Sequence, residues 1–235
     1  MPTVLITGTN RGLGLEMTRQ YTDRGWSVIA LNRSASPALD ALREGRDIEL
    51  HLADLTDDEA LAKVAADLRG RTIDVLVNNA GTMGRKGFAE DGMKASGFGG
   101  FDREDWHAVW DINVCTPQRV AELFVDNVAA AENGRIVTLS SMLGSMKLNT
   151  VGGLYAYRAS KAAVNAIMRS MGIDLASRGI IAIAMHPGWV KTDMGGPRAD
   201  IEPEESIAGM ISVIDDLSPG DAGKCLAWNG EVLPW

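Results

Sequence analysis

Residues 3–14 constrain the fold more than any other stretch of the chain. Thr3-Val4-Leu5-Ile6-Thr7 is apolar and β-branched, the composition of a buried strand, and it stops at Gly8. The turn Gly8-Thr9-Asn10-Arg11-Gly12-Leu13-Gly14 follows, and residues 15–24 read as a helix. A strand, a glycine-rich turn and a helix gather backbone N–H groups and the positive end of a helix dipole at one point, an arrangement that binds phosphate. The glycines permit the tight turn, close approach of backbone to a pyrophosphate, and close packing of helix on strand. The spacing is GxxxGxG rather than GxGxxG, and glycine-rich turns are common. This one stands where a dinucleotide fingerprint requires it, after the first strand and opening the first helix.

The rest of the chain repeats the pattern. Residues 27–31, 48–52, 73–77, 135–139, 180–184 and 224–228 read as strands, and helices are expected over 57–68, 102–131, 155–177 and 202–215. Alternating strands and helices imply parallel pairing with right-handed crossovers. The expected architecture is therefore α/β, a Rossmann-like doubly wound parallel sheet of about seven strands in one domain over residues 1–235, with no repeat or composition break to mark a second domain.

Several strand ends carry polar residues. The second strand ends in Asn32-Arg33-Ser34. Sites that select NAD place an acid about 20 positions beyond the glycines to hold the ribose 2′-hydroxyl. Asn32 lies 18 residues after Gly14 and neither it nor its neighbours is acidic. Arg33 can pair with a 2′-phosphate instead, which favours NADP(H), with Arg11 as a second cation; the plainer reading is an arginine opening a loop. Asp54-Leu55 follows the third strand, where the carboxylate either accepts from an adenine amino group or caps the next helix. Asn78-Asn79-Ala80-Gly81 ends the fourth strand, with small residues and amides that let backbone pass close to a cofactor. In residues 82–101 the pattern is lost and Gly84, Gly87, Gly92, Gly97, Gly99 and Gly100 accumulate. That stretch is either a pocket rim or a solvated connector, and strand C-termini are where ligands sit in open α/β sheets. Asn113 is a polar residue within an apolar helical run, and Pro117 is expected to kink that helix just beyond it. Residues 142–153 read as a flexible approach to the next helix.

That helix opens with Tyr155-Ala156-Tyr157-Arg158-Ala159-Ser160-Lys161. Four residues apart, Tyr157 and Lys161 share a face, and an ammonium beside a phenol favours phenolate. Such a pair alone is usually an ordinary helix surface; paired with a dinucleotide turn it becomes a proton donor with something to act on.

Composition narrows the alternatives. A net charge of −8 argues against a general nucleic-acid or anionic-membrane surface. No apolar run reaches membrane-spanning length and Met1-Pro2-Thr3 lacks the charged start of a secretion signal, so a cytoplasmic protein is expected. Cys115 and Cys225 form no CxxC, and His51, His107 and His186 show no ligand spacing, so neither a disulfide framework nor a metal site is expected.

Four segments, Thr7 to Gly14, Asn78-Asn79-Ala80-Gly81, Ser140-Ser141 and Tyr157-Arg158-Ala159-Ser160-Lys161, together resemble the short-chain dehydrogenase/reductase family nearly end to end and in family order. The segment Arg11 to Glu16 and residues 186–196 are most similar to its small carbonyl reductases of the sniffer and C-factor type. The resemblance implies an NAD(P)-dependent oxidoreductase that interconverts a carbonyl and an alcohol. It makes Tyr157 the acid/base, Lys161 the residue that binds nicotinamide ribose and lowers the tyrosine's pKa, Ser141 the holder of the substrate oxygen, and Asn113 the positioner of a relay water. Gly8, Asn10, Arg11, Gly12, Leu13, Gly14, Asn32, Arg33, Asp54, Leu55, Asn79, Ala80 and Gly81 would line the cofactor, and Pro187, Gly188, Val190 and Thr192 its nicotinamide end. Tyr155 is a poor rival to Tyr157, because four positions on it meets Ala159. The 16-residue interval from Ser141 to Tyr157 is a little longer than usual in the family, which bears on the pocket wall between them. The substrate pocket is expected from residues 82–102, 142–154 and 188–202, with Met142, Met146, Leu148, Trp189 and Met194 as apolar candidates. Family members assemble as homodimers or homotetramers through two long helices, here residues 102–131 and 155–177.

Two other readings compete. One is a dinucleotide-binding regulatory or signalling module with incidental turnover, against which an intact Asn, Ser, Tyr and Lys set argues. The other is a nucleotide-sugar epimerase or dehydratase, whose usual C-terminal substrate domain has little room in this sequence.

Overall fold

The computed structural model describes residues 1–85 and 97–235, so Gly87 and Gly92 of the glycine-rich stretch lie outside the described residues. Its strands are β1 (Thr3–Thr7), β2 (Ser27–Asn32), β3 (Ile48–Leu52), β4 (Val75–Asn78), β5 (Arg135–Leu139), β6 (Ile181–His186) and β7 (Cys225–Ala227). They form one sheet in the order β3-β2-β1-β4-β5-β6-β7, with every pairing parallel. The helices are α1 (Gly12–Asp23), α2 (Pro37–Arg43), α3 (Asp58–Asp67), α4 (Arg103–Trp110), α5 (Thr116–Ala129), α6 (Tyr155–Asp174) and α7 (Pro203–Asp215).

The central strands are apolar at nearly every position because both faces are covered. Leu5, Ile29, Leu76, Ile136 and Ala182 pack toward residues of α3, α5 and α6, such as Leu61, Phe124 and Met168. Val4, Ile6, Val28, Val77 and Ile183 pack on the other side with Met17, Tyr21, Leu39 and Met210, from α1, α2 and α7. The order reverses between β1 and β4, and that switch point opens the crevice in which such sheets bind ligands. Right there stand the glycine turn after β1 and Asn79-Ala80-Gly81 after β4.

Three helices begin at side-chain caps. Ser36 accepts from the Leu39 N–H, Asp57 from the N–H groups of Glu59 and Ala60, and Asp102 from those of Glu104 and Asp105. The Ser36-Pro37 start of α2 was not among the expected elements.

The long helix expected over residues 102–131 is not continuous. A π-helical turn, Asp111–Cys115, separates α4 from α5. Pro117 sits in the first turn of α5, where a missing N–H costs little. The irregularity falls before the proline, at Asn113, whose carbonyl would otherwise face the N–H that Pro117 lacks. No helix among the described residues is long and apolar enough to cross a membrane.

Candidate active site

The glycine turn is built by side chains from across the switch point. The Asn79 amide donates to the carbonyls of Thr7 (2.8 Å) and Gly8 (2.9 Å), while Thr7 Oγ1 accepts from the N–H groups of Asn79 and Ala80, each at 3.1 Å. Gly14 must be glycine: a Cβ there would lie 2.1 Å from the Gly8 carbonyl oxygen and 2.5 Å from Asn79 Nδ2. Gly8 (φ +73°) and Gly12 (φ +54°) take the left-handed backbone the turn requires. Helix α1 differs from α2, α3 and α4 in having no side-chain cap and no acid in its first turn. Its leading N–H groups thus keep no side-chain acceptor, and the chemistry of that donor set fits a phosphate.

The far end of the crevice departs from expectation in part. Asn32 is buried, with Oδ1 accepting from the Thr9 N–H (2.6 Å) and Nδ2 donating to Thr9 Oγ1 (2.9 Å). Its side chain thus holds the glycine turn through Thr9. Arg33 is exposed beside Asp54, whose carboxyl is held below its usual range by hydrogen bonds from Thr56 and, less strongly, by Arg33. Asp54 does not cap α3, which Asp57 does; it closes a turn on the Thr56 N–H (3.0 Å) and Oγ1 (2.8 Å). Leu55 is buried in the core, and its carbonyl accepts from Thr116 Oγ1. Arg11 pairs with Asp193 at 2.8 Å, and both side chains are exposed.

Between β5 and α6 three of the four expected chemical residues, Ser141, Tyr157 and Lys161, come together. Ser141 ends β5's extension and its Oγ accepts from the Leu143 N–H (3.1 Å), leaving its proton to donate elsewhere. Burial pushes the Tyr157 phenol up to about 12, partly opposed by a hydrogen bond from Ser141. Lys161 Nζ lies 5.7 Å from the centre of the Tyr157 ring and donates to the Leu139 carbonyl at 2.7 Å. Burial pulls that ammonium down to about 8. In place of the expected lysine-driven fall, the phenol's pKa rises, because desolvation disfavours charge on both groups. Tyr155, at 46% exposure against 9% for Tyr157, points out of this cluster.

Asn113 is buried, and its side chain is fully engaged. Oδ1 accepts from the Thr82 N–H (2.8 Å), and Nδ2 donates to the Thr82 carbonyl (2.8 Å) and to Ser160 Oγ (3.0 Å). Ser160 in turn donates to the Tyr157 carbonyl (2.8 Å), so the amide joins residues 81–82 to the tyrosine helix.

Residues 187–201 form the third wall. Gly188 (φ +90°) admits no side chain, since a Cβ would meet Ile201 Cδ1 at 2.5 Å. Val190 is buried and bridges to Ile201, and Thr192 turns back toward Gly12, where an added Cβ would sit 3.7 Å from its methyl. The apolar candidates Met142, Met146, Leu148, Trp189 and Met194 are all substantially exposed. A cavity of about 210 Å³ beside Tyr157 is lined by Met83, Phe98, Phe101, Trp106, Leu154 and Tyr155 among others.

Residues 142–153 are not the flexible connector their composition suggests. Met142–Gly144 is a 3-10 turn, and Gly144 lies so close to α6 that a Cβ would be 2.7 Å from the Lys161 carbonyl carbon. Arg158, a buried guanidinium that sequence reasoning passed over, donates to the carbonyls of Gly153 (3.1 Å) and Leu143 (3.3 Å). Its place beside Tyr157 on a helix facing that segment was the available signal.

With the geometry established, comparison with known proteins gives concordant matches. The family model described as short chain dehydrogenase matches residues 2–202. The C-signal of Myxococcus xanthus is 39% identical over 163 residues, covering 69% of this chain and 93% of that protein. The 1-hydroxy-2-glutathionyl-2-methyl-3-butene dehydrogenase of Rhodococcus sp. is 31% identical over the full length of both. Among solved structures, the carbonyl reductase Sniffer of D. melanogaster superposes with a TM-score of 0.90 at 30% identity, covering all of both chains. The NADPH-bound carbonyl reductase from chicken fatty liver gives 0.89 at 29% identity, covering 100% of this chain and 99% of that one.

Proposed function

The chain belongs to the short-chain dehydrogenase family of oxidoreductases, and from that premise we propose that it reduces a carbonyl to an alcohol with NADP(H), Tyr157 acting as the general acid. The observation that carries the reading is the buried trio at the mouth of the crevice: Ser141 acting on the Tyr157 phenol, with Lys161 Nζ 5.7 Å from the centre of its ring.

Bound nicotinamide dinucleotide supplies the hydride. The residues that fit it are the uncapped turn from Gly8 to Gly14, the close-passing Asn79-Ala80-Gly81, and Pro187 to Thr192 at the nicotinamide end. Arg33, exposed at the end of β2 with no acid in the ribose-selecting position, suits a 2′-phosphate. Two solved relatives described as carbonyl reductases were determined with NADPH or NADP bound, which supports the same preference.

Protonation at neutral pH then sets the direction. With its pKa near 12 the phenol keeps its proton, and with its pKa near 8 the lysine is mostly charged. Tyr157 gives that proton to the oxygen that gains charge, Ser141 donates a hydrogen bond to the same oxygen, and the Lys161 ammonium stabilises the phenolate left behind. The site is charged for reduction. Oxidation requires the phenolate, so it should rise with pH. Assembly through α5 and α6 belongs to the same proposal and is read from sedimentation.

Similarity to a protein named C-signal favours the signalling reading on one point, but does not account for the complete Asn113, Ser141, Tyr157 and Lys161 set. The test is a panel of aldehydes, ketones, quinones and diketones with NADPH. Tyr157→Phe should abolish turnover while leaving NADPH affinity within about twofold. A wild-type protein inert across the panel, or a phenylalanine variant that keeps its kcat, overturns the proposal.

A further inference from the structure

The segment between Ser141 and Tyr157 is gripped from an unexpected quarter. Beyond β7 the chain doubles back: Ala227 N–H donates to the Glu231 carbonyl, Leu226 bridges antiparallel to Val232, and Leu233 N–H donates to the Cys225 carbonyl at 2.8 Å. This return carries the main-chain oxygen of Trp235 onto the substrate side of the sheet. There it accepts two hydrogen bonds, from the Lys147 N–H at 3.0 Å and from Ser145 Oγ at 3.1 Å. Ser145 is 3% exposed, and its hydroxyl also accepts from the Leu148 N–H at 3.2 Å.

Ser145 is one short turn from the residue proposed to hold the substrate oxygen. Its N–H donates to the Met142 carbonyl (3.1 Å), and the Gly144 N–H donates to the Ser141 carbonyl (2.9 Å). Gly144 rests on the backbone of Lys161. From the opposite side, Arg158 ties Leu143 and Gly153 to α6. The turn that sets the Ser141 hydroxyl is thus clamped between α6 and the returning chain, and among the described residues Ser145 is the only side chain that hydrogen-bonds turn to return.

We propose that Ser145 and the Trp235 main-chain oxygen form a clasp that positions the Ser141 hydroxyl to donate its hydrogen bond to the reacting oxygen. Ser145 is a positioning residue; it acts through Ser141 and touches no reacting atom. A hydroxyl misplaced by even 1 Å loses much of its effect on a developing charge. Breaking the clasp should therefore lower the rate of the chemical step more than it weakens binding. The kinetic part of the inference rests on the proposed reductase reading, whereas the structural part does not.

Hydrogen exchange and kinetics on the full chain test the two parts separately. In Ser145→Ala, and in a chain shortened by Trp235, backbone exchange over residues 142–148 should speed up about tenfold, with the β1–β4 core unchanged. The same variants should lose about tenfold in kcat for whichever carbonyl the wild type reduces, with the NADPH dissociation constant within about twofold. Unaltered exchange over 142–148 overturns the clasp, whatever the activity. Faster exchange with unaltered kcat overturns its role in positioning Ser141. Loss of exchange protection throughout the sheet also overturns it, because the contact would then hold up the fold at large. A wild type that reduces nothing defeats the reductase reading and leaves the exchange result to decide the clasp.

Discussion

Replacing Lys161 by methionine removes a charge that the fold keeps dry, and the consequence for stability can be worked out with its sign. Burial lowers the lysine's pKa from 10.5 to about 8. Above pH 10.5 the side chain is neutral in the folded and unfolded chains, and desolvation of charge costs nothing. As pH falls, the unfolded chain takes up a proton that the folded chain resists, so stability is lost down through pH 8. The displacement amounts to about 3 kcal/mol at pH 7 and about half of that at pH 9.5. Against it stands the hydrogen bond to the Leu139 carbonyl; leaving that buried oxygen unpaired costs about 1–2 kcal/mol. Lys161→Met should therefore be about 1–2 kcal/mol more stable than the wild type at pH 7, and near equal at pH 9.5, while losing carbonyl reduction. Urea unfolding followed by tryptophan fluorescence at both pH values measures this, and groups common to both proteins cancel in the difference. A gap that stays constant between pH 7 and 9.5, or a methionine variant less stable at pH 7, refutes the reasoning. Confirmation would mark Lys161 as a residue held for chemistry at the expense of the fold.

Gly14→Ala places a methyl 2.1 Å from the Gly8 carbonyl oxygen, and the turn must shift. Thermal unfolding should show a loss of about 2–4 kcal/mol, and titration should show NADPH affinity falling by more than tenfold. Arg33→Asp should move the ratio of kcat/KM for NADPH over NADH toward NADH by at least about tenfold, since the exposed guanidinium is replaced by the acid that NAD sites use; an unchanged ratio removes Arg33 from the cofactor shell. Asn113→Ala strips three buried hydrogen bonds from residue 82 and Ser160. Unfolding experiments should report about 2–4 kcal/mol of destabilisation, and a neutral result would show that the amide is not the joint between residues 81–82 and α6.

Much of this molecule was legible because its signals are local. The glycine turn, the β-branched strands and the Tyr157/Lys161 spacing each depend on residues within a few positions of one another, and the sheet realises all of them. Asn32 shows where locality ends. A polar residue at a strand end looks the same whether it faces a ligand or turns inward, and only the fold shows Thr9 taking both ends of its amide. The π-turn was half legible: Pro117 stands four residues after Asn113, so an α-helical bond from the Asn113 carbonyl was forbidden from the outset, and the expected kink just beyond Asn113 takes the form of a π-helical turn around it. Desolvation of Tyr157 and Lys161 could not be read from their spacing, because it is a property of everything packed around them, and it reverses the expected direction of the phenol's shift. Residues 142–153 mark the extreme case. Their glycines and polar groups read as slack chain, but the acceptor that orders Ser145 lies 90 residues away along the sequence. A buried hydroxyl with a distant main-chain partner leaves no periodicity to detect, and such a contact in the wall beside Ser141 makes that wall as much a product of the segment after β7 as of its own residues.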